Sequence, residues 1–178
     1  MKRHRNSSHW IAAAAFAVAC FPLAAMAAIH VKLAVNDDTS LSVSSSSSPC
    51  QGEPIDVICV AKGSSPNLFF ELDNACEAGG PQYGLEQIRI AMAPKQWPSS
   101  SNPLPQYVVG DFNADPDSGV INLASGNGSD NSKSSSRIKF KDKNQHTEPY
   151  TVFYEITAQQ CNGSGTIVLD PSVRNGGK

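Results

Sequence analysis

Between Tyr150 and Asp170 the chain permits little other than a β-hairpin. Val152, Tyr154 and Ile156 alternate with Phe153, Glu155 and Thr157, so a pleated strand turns one set inward and the other outward. Asn162-Gly163-Ser164-Gly165 supplies turn residues, and the β-rich run from Thr166 to Leu169 comes after them. Asp170-Pro171 then ends the element, because proline has no N–H to give to a ladder, and no central strand is expected beyond it. A chain that contains such a hairpin is committed to a sheet.

The rest of the sequence agrees with that commitment. Short β-like runs separated by polar turns recur, and no segment sustains a 3.6-residue period. Ile29 to Val35 alternates strictly, with His30 and Lys32 on the wet face. Further strands are expected at 55–61, 67–72, 87–93, 107–109 and 120–123. Lys62-Gly63-Ser64-Ser65-Pro66 has hairpin-loop composition between the first two of these, and the serine tract from Ser44 to Ser48 is too poor in apolar residues to be expected as anything but a loop. About nine strands in one domain predict an all-β fold, an antiparallel β-sandwich, immunoglobulin-like in the broad sense.

Met1 to Ala27 reads as a cleavable secretory leader: Lys2, Arg3 and Arg5 precede an apolar run, and Ala25-Met26-Ala27 offers a small-x-small cleavage site. Residues 28–178 then form a single secreted domain, with no later segment apolar enough to cross a membrane and a periplasmic or extracellular location expected. Loss of the three basic residues leaves eleven basic and sixteen acidic side chains, a net −5, which makes nucleic acid a poor partner. Four cysteines remain, Cys50, Cys59, Cys76 and Cys161, an even number in an exported chain and hence two disulfides. Three pairings are possible. Cys59 with Cys161 is favoured because both adjoin strongly β segments, which leaves Cys50 with Cys76. A metal site using His30 or His146 with thiolates is the rival, but no Cys-x-x-Cys pair occurs.

Three stretches carry potential chemistry. Asp111, Asn113, Asp115 and Asp117 place oxygen-bearing side chains at alternate positions of one loop, and calcium takes six to eight oxygens. Gly110-Asp111-Phe112-Asn113 followed by Asp115 resembles the start of the calcium loop of FG-GAP repeats and, less closely, of dockerins. That resemblance implies calcium bound by these side chains. The same residues also make Asx-turns, so a plain turn between strands stands beside it. Trp97, in a proline- and serine-rich loop, is either a stacking residue for a sugar or a plug for the end of the sandwich. Arg137, Lys139, Lys141 and Lys143 fall on one face of a strand whose other face carries Ile138 and Phe140. This is either a basic stripe for an acidic polysaccharide or lipid headgroup, or an ordinary charged face.

No nucleophile elbow, phosphate loop, dinucleotide fingerprint or His-Glu-x-x-His motif is present, and no catalytic residue is assigned. The Leu169-Asp170-Pro171 ending resembles that of the uncharacterised bacterial DP-EP family, a likeness that implies no activity. The expectation is therefore an exported, non-enzymatic binding or structural module without a required cofactor, its partner an unspecified protein or glycan. A calcium-assisted carbohydrate-binding domain, and a secreted hydrolase whose carboxylates meet only in the fold, are the alternatives.

Overall fold

In the computed structural model, residues 28–36, 40–125, 131–170 and 172–176 are described. The proposed leader, Met1 to Ala27, lies outside them. The described chain forms β1 (Ile29–Asn36), β2 (Ser40–Ser46), β3 (Val57–Val60), β4 (Asn67–Leu72), β5 (Tyr83–Ala91), α1 (Gln106–Phe112), β6 (Ala124–Ser125), β7 (Ser132–Ser134), β8 (Arg137–Lys141), β9 (Tyr150–Gln160), β10 (Thr166–Leu169) and β11 (Ser172–Asn175).

The strands make two sheets that enclose one core, an all-β sandwich. The first has the order β2-β1-β4-β8-β7-β6; the second runs β10-β9-β11-β3, with β5 paired to β9. The expectation of a wholly antiparallel sandwich is corrected: β1 lies parallel to β4, β11 parallel to β3, and β6 parallel to β7. Alternation sets the inner faces. Val31, Leu68, Phe70, Ile138 and Phe140 from the first sheet meet Ile88, Ile90, Val152, Tyr154 and Ile156 from the second, all fully buried. Phe70 lies against Phe140 within its sheet and Tyr154 across the core, with ring centroids 5.7 and 5.0 Å apart.

The hairpin forms as expected, with Ile167 opposite Ala158. The segment after it departs from expectation. Beyond Asp170 the chain enters β11, a central strand between β9 and β3, rather than ending the sheet. The reason is the length of β9: β10 covers only Ile156 to Gln159 of one edge, and β11 takes Tyr150 to Phe153 of that same edge. The serine tract is corrected in part: Ser44 to Ser46 are strand, while Ser47 and Ser48 bend away after it. Ser40–Ser46 pairs with β1 and is held by buried Leu41 and half-buried Val43, so backbone hydrogen bonds supply the order that serine side chains do not. Residues 62–66 do not close a hairpin, since β3 and β4 belong to different sheets.

The two disulfides are Cys50–Cys59 and Cys76–Cys161, not the pairing favoured from sequence. Cys59 does lie on a strand, but β3 is at the far edge of its sheet, where its neighbour is β11. The segment before it folds back instead. Cys50 N–H donates to the Val57 carbonyl and Cys59 N–H to the Ser48 carbonyl, which sets the two cysteines side by side. Cys161 lies just past the other end of β9, where its N–H donates to Gln82 O beside the Cys76 loop. The bridges span 9 and 85 residues of sequence. By loop-closure entropy the long bridge contributes about 4 to 5 kcal/mol and the short one about 3 kcal/mol. Urea denaturation of the oxidised protein is therefore expected to show a larger loss for the Cys76→Ala/Cys161→Ala double variant than for Cys50→Ala/Cys59→Ala. The opposite ranking would mean that the 76–85 connection is ordered without its bridge.

Candidate functional site

The segment expected as a strand at 107–109 is the helix α1. Pro105 enters it with φ −57° and ψ 142°, and Asn113 ends it in the left-handed region at φ 53°, with its N–H on the Val109 carbonyl. Val108 and Phe112, four residues apart, share one face and are both fully buried. Asp111, on the same side, is carried inward with them and is only 2% exposed.

A buried carboxylate needs donors, and the fold provides them. Asp111 Oδ2 accepts a 2.6 Å hydrogen bond from the Tyr150 hydroxyl, and Oδ1 accepts the Gln145 N–H at 2.8 Å. Burial, with this bond to Asp111 next, raises the Tyr150 pKa far above its ordinary range, so the phenol stays protonated. Tyr107 stacks on His146 at 4.1 Å, and Tyr150 stands edge-on to both. A second acid, Asp142, is fully buried nearby. Its Oδ1 accepts the Asn144 N–H at 2.9 Å, while Oδ2 has no hydrogen-bond partner. The Asn175 amide adjoins Asp142 and Tyr150 but completes a hydrogen bond to neither.

Burial first, and the charge of Asp111 after it, push the Asp142 carboxyl up from its ordinary 3.8 to about 7. The Asn144 bond and the Asn175 amide act the other way and are outweighed. Between those two values the folded protein holds a proton that the unfolded chain has released. Stability from this group is thus fully present below pH 4, declines as pH rises, and is gone above about pH 7. Asp142→Asn, which keeps the acceptor for Asn144 and carries no charge, is expected to remove this component. Its melting temperature should match wild type near pH 4 and exceed it at pH 8, as read by thermal scans across that range. Equal melting temperatures at pH 8 would show that Asp142 is ionised in the fold at no cost.

The remaining members of the acidic loop are placed separately. Asp115 Oδ1 accepts the Ser118 hydroxyl and the N–H groups of Asp117 and Ser118, the pattern of an Asx-turn. The Ser118 bonds lower its pKa. Gly119 has φ +72°, and a Cβ there would collide with the Ile90 carbonyl and Pro98, so the turn is fixed against β5. Asp117 is exposed, and Asn113, just past the end of α1, faces a separate groove that reaches across β6 to the end of β8. Among the described residues no group of three or more His, Cys, Asp or Glu is disposed to hold a metal ion. Because Asp111 and Asp115 already accept hydrogen bonds from the protein, millimolar calcium is expected to leave the melting temperature unchanged relative to chelator. A rise of several degrees, lost in Asp115→Ala, would make the turn a calcium site.

The groove has a volume of about 580 Å³ and is lined by Asn113, Asn122, Leu123, Ala124, Asn131, Lys141 and Lys143. Its floor is tied by side-chain amides. Asn122 Nδ2 donates to Asn113 O, Asn131 Nδ2 donates to Asn122 O, and Asn131 Oδ1 accepts the Lys141 N–H, at 3.1, 3.2 and 3.0 Å. Lys143 N–H donates to Asp111 O, which joins this groove to the buried acids. Lys141 and Lys143 thus stand on a lattice that is set before any ligand arrives.

Trp97 does not plug an end of the sandwich. It is half-buried on the outer side of the second sheet, with the Arg89 guanidinium 4.0 Å from its ring centroid. Arg89 in turn makes a two-pronged pair with Glu155, at 2.7 and 3.0 Å. The basic stripe does form: Arg137, Lys139 and Lys141 alternate with buried Ile138 and Phe140 along β8. Sequence reasoning passed over Asp142, although its position has the same parity as Ile138 and Phe140 and is therefore the core face. Asn131 and Asn175 carried no local signal, since each matters only through strands distant in sequence. No protein-family model matches the chain, and no curated protein is detectably similar to it.

Proposed function

We propose that the chain is a non-catalytic binding module working outside the cytoplasm, with the groove from the end of α1 across β6 to the end of β8 as its recognition site. The observation that carries this reading is the amide-tied groove floor with two lysines at its edge. Ammonium and amide groups bind and orient anions and hydroxyls without themselves transferring protons near neutral pH. Two disulfides support an oxidising location, and among the described residues no helix is long and apolar enough to cross a membrane. Burial of Asp111 and Asp142, at 2% and 0% exposure, favours binding over hydrolysis, because a substrate bond has no access to either carboxylate.

The test is a screen of short oligosaccharides and organic anions by nuclear magnetic resonance on the oxidised domain. Ligand-dependent shifts are expected at the side-chain amides of Asn113, Asn122 and Asn131, with every ligand recovered intact. Shifts confined to the Trp97 face would move the site to the other sheet, and conversion of a ligand would make the protein an enzyme.

A further inference from the structure

The charge of this domain is unevenly arranged. Of the eleven basic side chains that come after Ala27, four fall within seven residues, Arg137 to Lys143, in a chain otherwise rich in acid. The fold sharpens the asymmetry. Asp142, the one acid in that segment, is fully buried, so the segment itself presents cations outward, with Glu71 of β4 opposite Arg137 at its start. Strand geometry sets Arg137, Lys139 and Lys141 about 7 Å apart in a row. The row continues past the end of β8 to Lys143, which is exposed, and its last two members line the groove.

Such a row suits a ligand with many charges along a line better than a single small anion. We propose that β8 and the groove at its C-terminal end bind an acidic polysaccharide, its acid groups following Arg137, Lys139, Lys141 and Lys143 and its hydroxyls meeting the asparagine amides. This rests on the reading of the groove as the recognition site. The lining chemistry distinguishes the ligand from other polyanions. Nucleic acid held as a single strand is gripped by rings that stack on its bases, and the described groove lining has no aromatic residue. Phe69, opposite Lys139 on β4, is already stacked by His30 at 4.7 Å with Arg137 lying 5.7 Å from its centroid. A membrane surface would want exposed apolar side chains beside the cations. Among the described residues the exposed large hydrophobics, Ile55 and Val168, belong instead to the β3 approach and to β10 of the other sheet.

The experiment measures binding of the oxidised domain to a uronate homopolymer, the same polymer fully methyl-esterified, a sulfated polysaccharide, single-stranded DNA and anionic phospholipid vesicles. Binding to at least one of the two acidic polysaccharides is expected, weakening as salt rises and falling about tenfold or more in Lys141→Glu/Lys143→Glu. The Lys141→Arg/Lys143→Arg variant should retain it, and both variants should melt close to wild type because Lys143 is exposed and Lys141 no more than half-buried. If neither acidic polymer binds, the inference fails. Binding of the esterified polymer as tightly as the uronate would overturn it while leaving the groove as a glycan site. Equal or tighter binding of DNA or vesicles would also overturn it, by showing a general attraction to anions. Silence here together with silence in the oligosaccharide screen would remove the groove reading as well.

Discussion

The structure depends above all on the two-sided pairing of β9. Its eleven residues hydrogen-bond to β5 along one edge and to β10 and then β11 along the other, so every strand of the second sheet except β3 is anchored to it directly. A strand paired on both edges is buried on one face and shielded at its backbone, and it cannot slip by one residue without turning Val152, Tyr154, Ile156 and Ala158 out of the core. The 76–161 bridge fixes the far end of β9 to the connection that runs from β4 of the first sheet to β5 of the second.

The opposite end of β9 is where the polar chemistry collects. Tyr150 begins the strand and reaches Asp111 on α1; Asn175 lies across from it on β11; Asp142 directly follows β8 of the other sheet. One end of a sandwich is the place where the two sheets and a connecting helix meet and where strand ladders stop. The backbone groups released there are satisfied by side chains: Ser65 donates to the Asp142 carbonyl, and Asn144 to Ala61. The two buried acids thus hold α1, the residues after β8, and β9 in one arrangement. The groove is built on that arrangement, because Lys143 is fixed by Asp111 and Lys141 by Asn131.

The acidic loop illustrates how a motif and a fold can diverge. Its alternating Asp and Asn residues suit a loop that curls around a cation, but that requires the side chains to converge. Here a helical turn intervenes: Asp111 is the sixth residue of α1 and points inward, Asn113 terminates the helix, and Asp115 closes the next turn onto Ser118. Helical and turn geometry rotate successive alternate residues to different sides, whereas an extended or looped path would have kept them together.

Side-chain periodicity and residue chemistry by themselves determined the all-β class, the inward sets of β1 and β8, the alternation of β9 and its hairpin with β10, the existence of two disulfides in place of free thiols, and the basic row on β8. Each of these is local, since alternation and turn residues act within a few positions and an even cysteine count speaks to compartment. The tertiary structure alone decided which cysteines meet, that β11 returns to lie parallel with β3, that Ser40–Ser46 becomes a strand by pairing with β1, and that residues 106–112 coil. It also decided that Asp142 and Asp111 share a buried site and that three asparagines brace a groove. Those outcomes depend on pairings between segments tens of residues apart, where register and edge availability rule, and no short window of sequence contains that information.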